Sequence, residues 1–147
     1  MRPEGYQGEI EFHFEEVEID WLNTNSTAEW IRKVLEEEGA IPGNITVIFC
    51  TDNYLRDINK KYLDHNYYTD IITFDYTEEL GDISGDIFIS VDRVKENSMK
   101  YRVSQEEELF RVIVHGLLHL LDYKDVGEEE KAQMRAKENY YLSLLSI

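Results

Sequence analysis

Apolar and polar residues alternate along "GEIEFHFEEVEI", with Ile10, Phe12 and Phe14 on one side, and a period of two is the signature of a strand. The period then changes. In "STAEWIRKVLEEEG", Trp30, Ile31, Val34 and Leu35 recur at helical spacing. Ser26 and Glu29 have the spacing of a capping box at its start, and Gly39 marks its end. "NITVIFC" is rich in β-branched residues and predicts a second strand. "TDNYLRDINKKYL" predicts a helix from Thr51 or Asp52, and "TDIITFDY" and "GDISGDIFISV" predict two strands separated by an acidic turn. The strongest helical pattern is "SQEEELFRVIVHGLLHLLD", headed by Ser104 and Glu107 as a second capping box. "EEEKAQMRAKENYYLSLL" predicts a last helix, with acids first and bases later, as the helix dipole favours.

The predicted order, β, α, β, α, β, β, α, α, lacks regular βαβ alternation. It implies an α+β fold: a small mixed sheet of about four strands packed by helices, with the "HGLLHLL" helix in the core. No repeat or low-complexity linker divides the chain, so residues 1–147 are expected to form one domain. A hydrophobic content of 42% supports a packed core rather than disorder. The single cysteine, Cys50, excludes an intrachain disulfide. With no secretion signal in the charged N-terminal run, it fits a reducing, cytoplasmic setting. No apolar run approaches the roughly 20 residues that span a bilayer. The net charge of −16 counts against nucleic-acid binding, because phosphates favour a basic footprint.

The candidate chemistry lies in "HGLLHLLDYKD", residues 115 to 125. Histidines four apart on a helix share one face, so His115 and His119 can aim two imidazoles at one point. A catalytic metal site needs a third protein ligand. Asp122 lies on the same face if the helix continues that far, whereas Asp125 lies in a turn that can return over the helix. Gly116 costs about 1 kcal/mol relative to alanine inside a helix, which points to a close backbone approach there. Its position also lacks the glutamate of the metalloprotease helix, which weakens a peptidase reading.

These residues resemble a known family. "HGLLHLLDYKD" is similar to the H-G-x-L-H-L-x-G-Y-D-H signature of the YbeY endoribonucleases, the ribosomal-RNA maturation factors. "INKKYLDHNYYTDIITFDY" and "GDISGDIFIS" resemble two further segments of that family, in the same order, so that the likeness covers roughly residues 45 to 125. The resemblance implies a mixed α/β fold, one Zn2+ ion, and metal-dependent cleavage of single-stranded RNA. The implied role is small-subunit ribosomal RNA maturation and ribosome quality control, with small ribosomal subunit proteins as further partners. Carried across, the metal ligands are His115, His119 and Asp125, the last replacing a histidine. Asp122 stands where the family has glycine, and Leu63 stands where it has an arginine suited to stabilising a phosphate. Substitutes for that arginine are Lys60, Lys61, His65 and Lys124, and a basic patch can form from Lys60, Lys61, Arg93, Lys95, Lys100 and Arg102. Asp70 is a candidate partner for a ligand histidine, and Tyr62, Tyr67, Tyr68 and Tyr76 are candidates for stacking on bases. No residue stands out as general base. The competing expectations are another metallohydrolase, acting on a peptide or small molecule, and a non-enzymatic ribosome-assembly module.

Overall fold

The computed structural model describes residues 8–78 and 81–145; residues 1–7, which open the N-terminal run read above, lie outside the described residues, as do 79–80 and 146–147. The elements are β1 (Ile10–Phe14), α1 (Thr24–Glu37), β2 (Pro42–Cys50), α2 (Asp52–Leu63), β3 (Ile71–Asp75), β4 (Ile83–Ser90), α3 (Val91–Tyr101), α4 (Gln105–Leu120) and α5 (Glu128–Ser143). The strands form one sheet in the order β1-β2-β4-β3. β1, β2 and β4 are parallel, and β3 pairs antiparallel with β4. The architecture is the expected α+β fold with a four-stranded mixed sheet.

Alternation along β2 and β4 divides the sheet's two faces. Ile45, Val47, Phe49, Ile87 and Ile89 enter the main core with Ile31, Val34 and Leu35 of α1 and the apolar face of α4. Cys50, Ile72, Phe74 and Phe88 enter a smaller cluster with Leu55 and Ile58 of α2. α4 is therefore the central helix, with Leu109, Ile113, Val114, Leu117 and Leu118 all buried. Gly116 explains how it fits so close to the sheet. A Cβ there would lie 2.8 Å from Cδ1 of Ile71 and 3.0 Å from Cγ2 of Ile87. The close approach that the glycine implied is the helix backbone lying on β3 and β4.

Three local readings are corrected. α1 begins earlier than Ser26: Asn23 is the N-cap, its side chain accepting from the Ser26 amide. α3 has no counterpart among the predicted elements, because only Val94 and Ser98 are buried along it and no apolar stripe announces it. Its start is nevertheless capped by Ser90, whose hydroxyl accepts from the Arg93 amide. The third correction concerns the end of α4. The helix stops at Leu120, and Asp122 adopts a left-handed φ of 68°. The Tyr123 amide donates to the Leu118 carbonyl and the Asp122 amide to the His119 carbonyl, the paired bonds of a Schellman cap. Asp122 thus keeps the turn that glycine would make, and its exposed side chain leaves the histidine face.

Two substitutions test this packing by thermal or urea unfolding. Gly116→Ala should destabilise by about 1–3 kcal/mol through overpacking, despite a gain of about 1 kcal/mol in helix propensity. Asp122→Gly should stabilise by about 0.5–1 kcal/mol by relieving the left-handed residue.

Candidate metal centre

His115 and His119 project from the last two turns of α4, and the Schellman turn brings Asp125 back over them. Nε2 of His115 and Nε2 of His119 are 2.9 Å apart. Oδ2 of Asp125 lies 3.4 Å from the first and 3.8 Å from the second. Among the described residues these three form a group whose donor atoms all fall within 4.8 Å of one another and could hold a metal ion. Tetrahedral zinc with bonds of about 2.0–2.1 Å sets its donors about 3.3 Å apart, a value that the three separations bracket. Asp70, the expected partner of a ligand histidine, makes no hydrogen bond to either ring; that place belongs to Glu138.

The outer nitrogens decide what the inner ones can do. Nδ1 of His115 is 2.7 Å from Oε2 of Glu138, and Nδ1 of His119 is 3.2 Å from the Tyr123 carbonyl. Both partners are acceptors, so each Nδ1 carries the proton and donates it. Each Nε2 is then left with a lone pair, and the two lone pairs face each other beside a carboxylate. Such an arrangement calls for a cation between them. Burial opposes a charge on His115, yet Glu138, Asp125 and Asp70 outweigh it and its pKa lies above the ordinary value. Burial and the neighbouring His115 charge lower that of His119. The pair is thus built to share one positive charge, which a proton or a metal ion can supply.

Glu138 is buried on α5, 23 residues beyond His115, and its other oxygen accepts from Nη1 of Arg111 at 3.2 Å. Glu38, at the end of α1, accepts from the hydroxyl of Tyr123 at 2.5 Å, from the hydroxyl of Tyr141, and from Lys137 Nζ at 3.1 Å. This ties down the residue whose carbonyl orients His119. Burial raises the Glu38 pKa, but the two tyrosines and Lys137 more than offset it and hold the carboxyl below its ordinary value. Cys50 takes no part: it is buried, and burial pushes its thiol up to about 12.

Two open clefts meet at the histidines. One, of about 510 Å³, reaches His115 and Asp125 and is walled by α3, α4 and α5. The other, of about 430 Å³, reaches His119 and is lined by Leu63, His65, Tyr67 and Thr69. Of the four residues expected to replace the arginine, His65 alone lines either cleft, where its ring stacks on Tyr67 with centroids 5.2 Å apart. Arg111, Lys131 and Arg135 line the first cleft. Arg111 had a local signal, four residues before His115 on one helical face; Lys131, Arg135 and Glu138 had none, because only the packing of α5 brings them there. Arg93, counted in the basic patch, is instead paired with Asp52 at 2.9 Å and Glu96 at 3.4 Å. Among the four tyrosines, Tyr67 lines a cleft at the site. Tyr62 packs edge-on against Phe74, Tyr68 lies against Arg56 and Arg93, and Tyr76 donates to Asp86.

Fold and site together define a small α+β protein with a His–His–carboxylate cluster, able to hold a metal ion, on a buried helix between two clefts. The family model described as Endoribonuclease YbeY matches residues 9–146. The chain is 50% identical over 115 residues to the "Endoribonuclease YbeY" of Cytophaga hutchinsonii, covering 78% of this chain and 80% of that one. It is 44% identical over 139 residues to the protein of the same name from Phocaeicola vulgatus, covering 94% and 99%. The solution structure of a Thermotoga maritima protein superposes with a TM-score of 0.68 at 25% identity, over 92% of this chain and 87% of that one. The chain belongs to the YbeY endoribonuclease family. No described helix is long and apolar enough to cross a membrane.

One prediction concerns a carboxyl in the first cleft. Burial, with Asp70 and Glu138 adding and Arg111 and Arg135 opposing, raises the Glu108 carboxyl to about 7. The native state holds this proton more tightly than the unfolded chain does. Its contribution to stability is therefore complete below about pH 4.5 and is lost as the pH rises to about 7. In chelator-treated protein, Glu108→Gln should remove that slope and melt at or above the wild-type temperature at pH 8.

Proposed function

We propose that this chain is a metal-dependent endoribonuclease that cleaves single-stranded RNA in small-subunit ribosomal RNA maturation and ribosome quality control. It acts as one cytoplasmic domain, with His115, His119 and Asp125 holding one Zn2+ ion. The observation that carries the reading is the pair of Nε2 lone pairs aimed at each other beside Asp125, each made available by an acceptor behind its ring. Two histidines and a carboxylate suit zinc with an open position. An ion bound there supplies Lewis acidity and lowers the pKa of a bound water toward about 7.

The chain's own residues supply the rest. Glu138 and the Tyr123 carbonyl fix the ring orientations, and Arg111 holds Glu138 in place. The two clefts give a single strand a path across the histidines, with Tyr67 as a stacking surface on one side. Lys131 and Arg135, both exposed, supply cations near that path where Leu63 supplies none, and His65 adds a hydrogen-bonding ring. A local set of this kind reconciles RNA binding with a net charge of −16. Ribosomal proteins of the small subunit can also bring the RNA to it.

Metal analysis of native, untagged protein should find one ion per chain. Asp125→Ala should lose it and Asp122→Ala should keep it. Glu138→Gln should weaken metal affinity by about 10–100-fold, as the loss of an orienting partner does elsewhere. The metal-loaded protein should cut single-stranded RNA and leave duplex RNA and casein intact, and a chelator should stop it. A fully loaded protein that leaves single-stranded RNA intact would remove the nuclease reading.

A further inference from the structure

One buried carboxyl in the His115 cleft is held by no hydrogen bond among the described residues and is not part of the metal cluster. Four carboxyl groups line that cleft. Asp125 is a metal donor, and Glu138 is occupied by His115 and Arg111. Asp70 is only half-buried, and the backbone amides of Asp70 and Ile71 oppose the rise that burial causes in its pKa. Glu108 is 4% exposed, yet its carboxyl opens onto the cleft and has no hydrogen-bonding partner among the described residues. Its oxygens are open to the cleft rather than sealed in the core, so they are available to accept from a ligand.

Position narrows the ligand. Glu108 precedes His115 by seven residues on the same face of α4, which is about 10 Å along the helix axis. It is too distant to touch atoms reacting there. It is well placed for the base of a nucleotide next to the cleaved bond. Across the cleft, Asn97 and Tyr101 are four apart on one face of α3, and Tyr101 is 53% exposed, with ring surface to offer. Lys131 and Arg135 repeat the spacing on α5 and are both exposed. An aromatic, an amide, an unpartnered carboxyl and two cations around about 510 Å³ match what single-stranded RNA recognition uses.

We propose that this cleft is a nucleobase subsite in which Glu108 accepts hydrogen bonds from the Watson–Crick edge of a guanine flanking the cleaved bond, with Tyr101 stacking on the ring. Guanine is the common base that presents two adjacent donors, N1–H and the 2-amino group, on one edge. A carboxylate can accept both in parallel, as it does from a guanidinium. Uracil offers one donor, and adenine and cytosine one amino group each. Asn97 lies within the same cleft to meet a second edge of the base. Burial outweighs the opposing Arg111 and Arg135 and brings this carboxyl to about 7, so the carboxylate that accepts both bonds predominates above neutral pH, where the binding is measured. The subsite rests on the nuclease reading for its substrate, but nucleotide binding alone can test it.

The metal-loaded full chain is titrated calorimetrically with guanosine, inosine, adenosine, cytidine and uridine 5′-monophosphates. The same protein is assayed on short single-stranded RNAs that differ at one nucleotide beside the cleaved bond. The guanosine nucleotide should bind about tenfold or more tightly than the adenosine, cytidine and uridine ones, and the inosine nucleotide, which lacks the 2-amino group, should fall between. Glu108→Gln should shrink that preference to within about twofold, with metal content and melting temperature as checks on its fold. Tyr101→Ala changes an exposed residue and should weaken every nucleotide about tenfold while keeping the preference. Equal binding of all the nucleotides by the wild type would overturn the proposal. So would a Glu108→Gln variant that weakens all of them alike, or a Tyr101→Ala variant with unchanged affinities. Cleavage without guanine preference removes the subsite and leaves the nuclease. Guanosine selectivity without cleavage removes the nuclease and leaves the subsite.

Discussion

Two imidazole nitrogens held 2.9 Å apart on a buried helix set the terms for much of this structure. Bare lone pairs at that distance repel unless a positive charge lies between them. The nearby chain answers that requirement. Glu138 and the Tyr123 carbonyl take the outer protons, and Asp125 adds a negative group beside the inner pair. None of this works unless α4 lies against the sheet with its histidine face at the cleft, and that contact depends on the missing Cβ of Gly116. The apolar side chains of α4 contribute the burial, and the glycine sets how closely the helix can approach. The histidines occupy the one stripe of the helix that the core leaves partly open.

The supports of the site come from across the fold. α1 ends in Glu38, which grips Tyr123 and Tyr141. α5 contributes Glu138, Lys131 and Arg135, and α3 contributes the wall with Asn97 and Tyr101. A buried acid such as Glu138 is costly by itself and is tolerated because Arg111 and His115 complete its bonds. Glu108 makes no side-chain hydrogen bond among the described residues and opens onto the cleft instead. The contrast between two acids in one cleft, one bonded within the fold and one open to the cleft, separates the structural carboxyl from the one available to a ligand.

The acidic composition acts on this protein differently from a simple net charge. Acids are concentrated in the first forty residues and at the start of α5, where they favour the helix dipole. Near the clefts, Arg111 is paired with Glu138, whereas Lys131 and Arg135 are exposed. Net charge governs long-range steering, whereas a substrate already at the cleft meets these nearby groups.

Local patterns determined a good part of this protein by themselves. Periods of two and 3.6 placed the four described strands and four of the five described helices, because each apolar face must find the core. Helical spacing put His115 and His119 on one face, and Gly116 announced a close contact. Between Asp122 and Asp125 the chain alone left the choice open; the Schellman turn stops α4 at Leu120 and brings Asp125, not Asp122, into the group with the histidines. α3 went unseen because it buries too little to leave a stripe. Glu138 lies 23 residues from His115 and Glu38 lies 85 from Tyr123, and nothing in local periodicity encodes such separations. Tertiary packing decided those, because hydrogen bonds to a buried imidazole depend on which helices meet around it and not on where they fall in the chain.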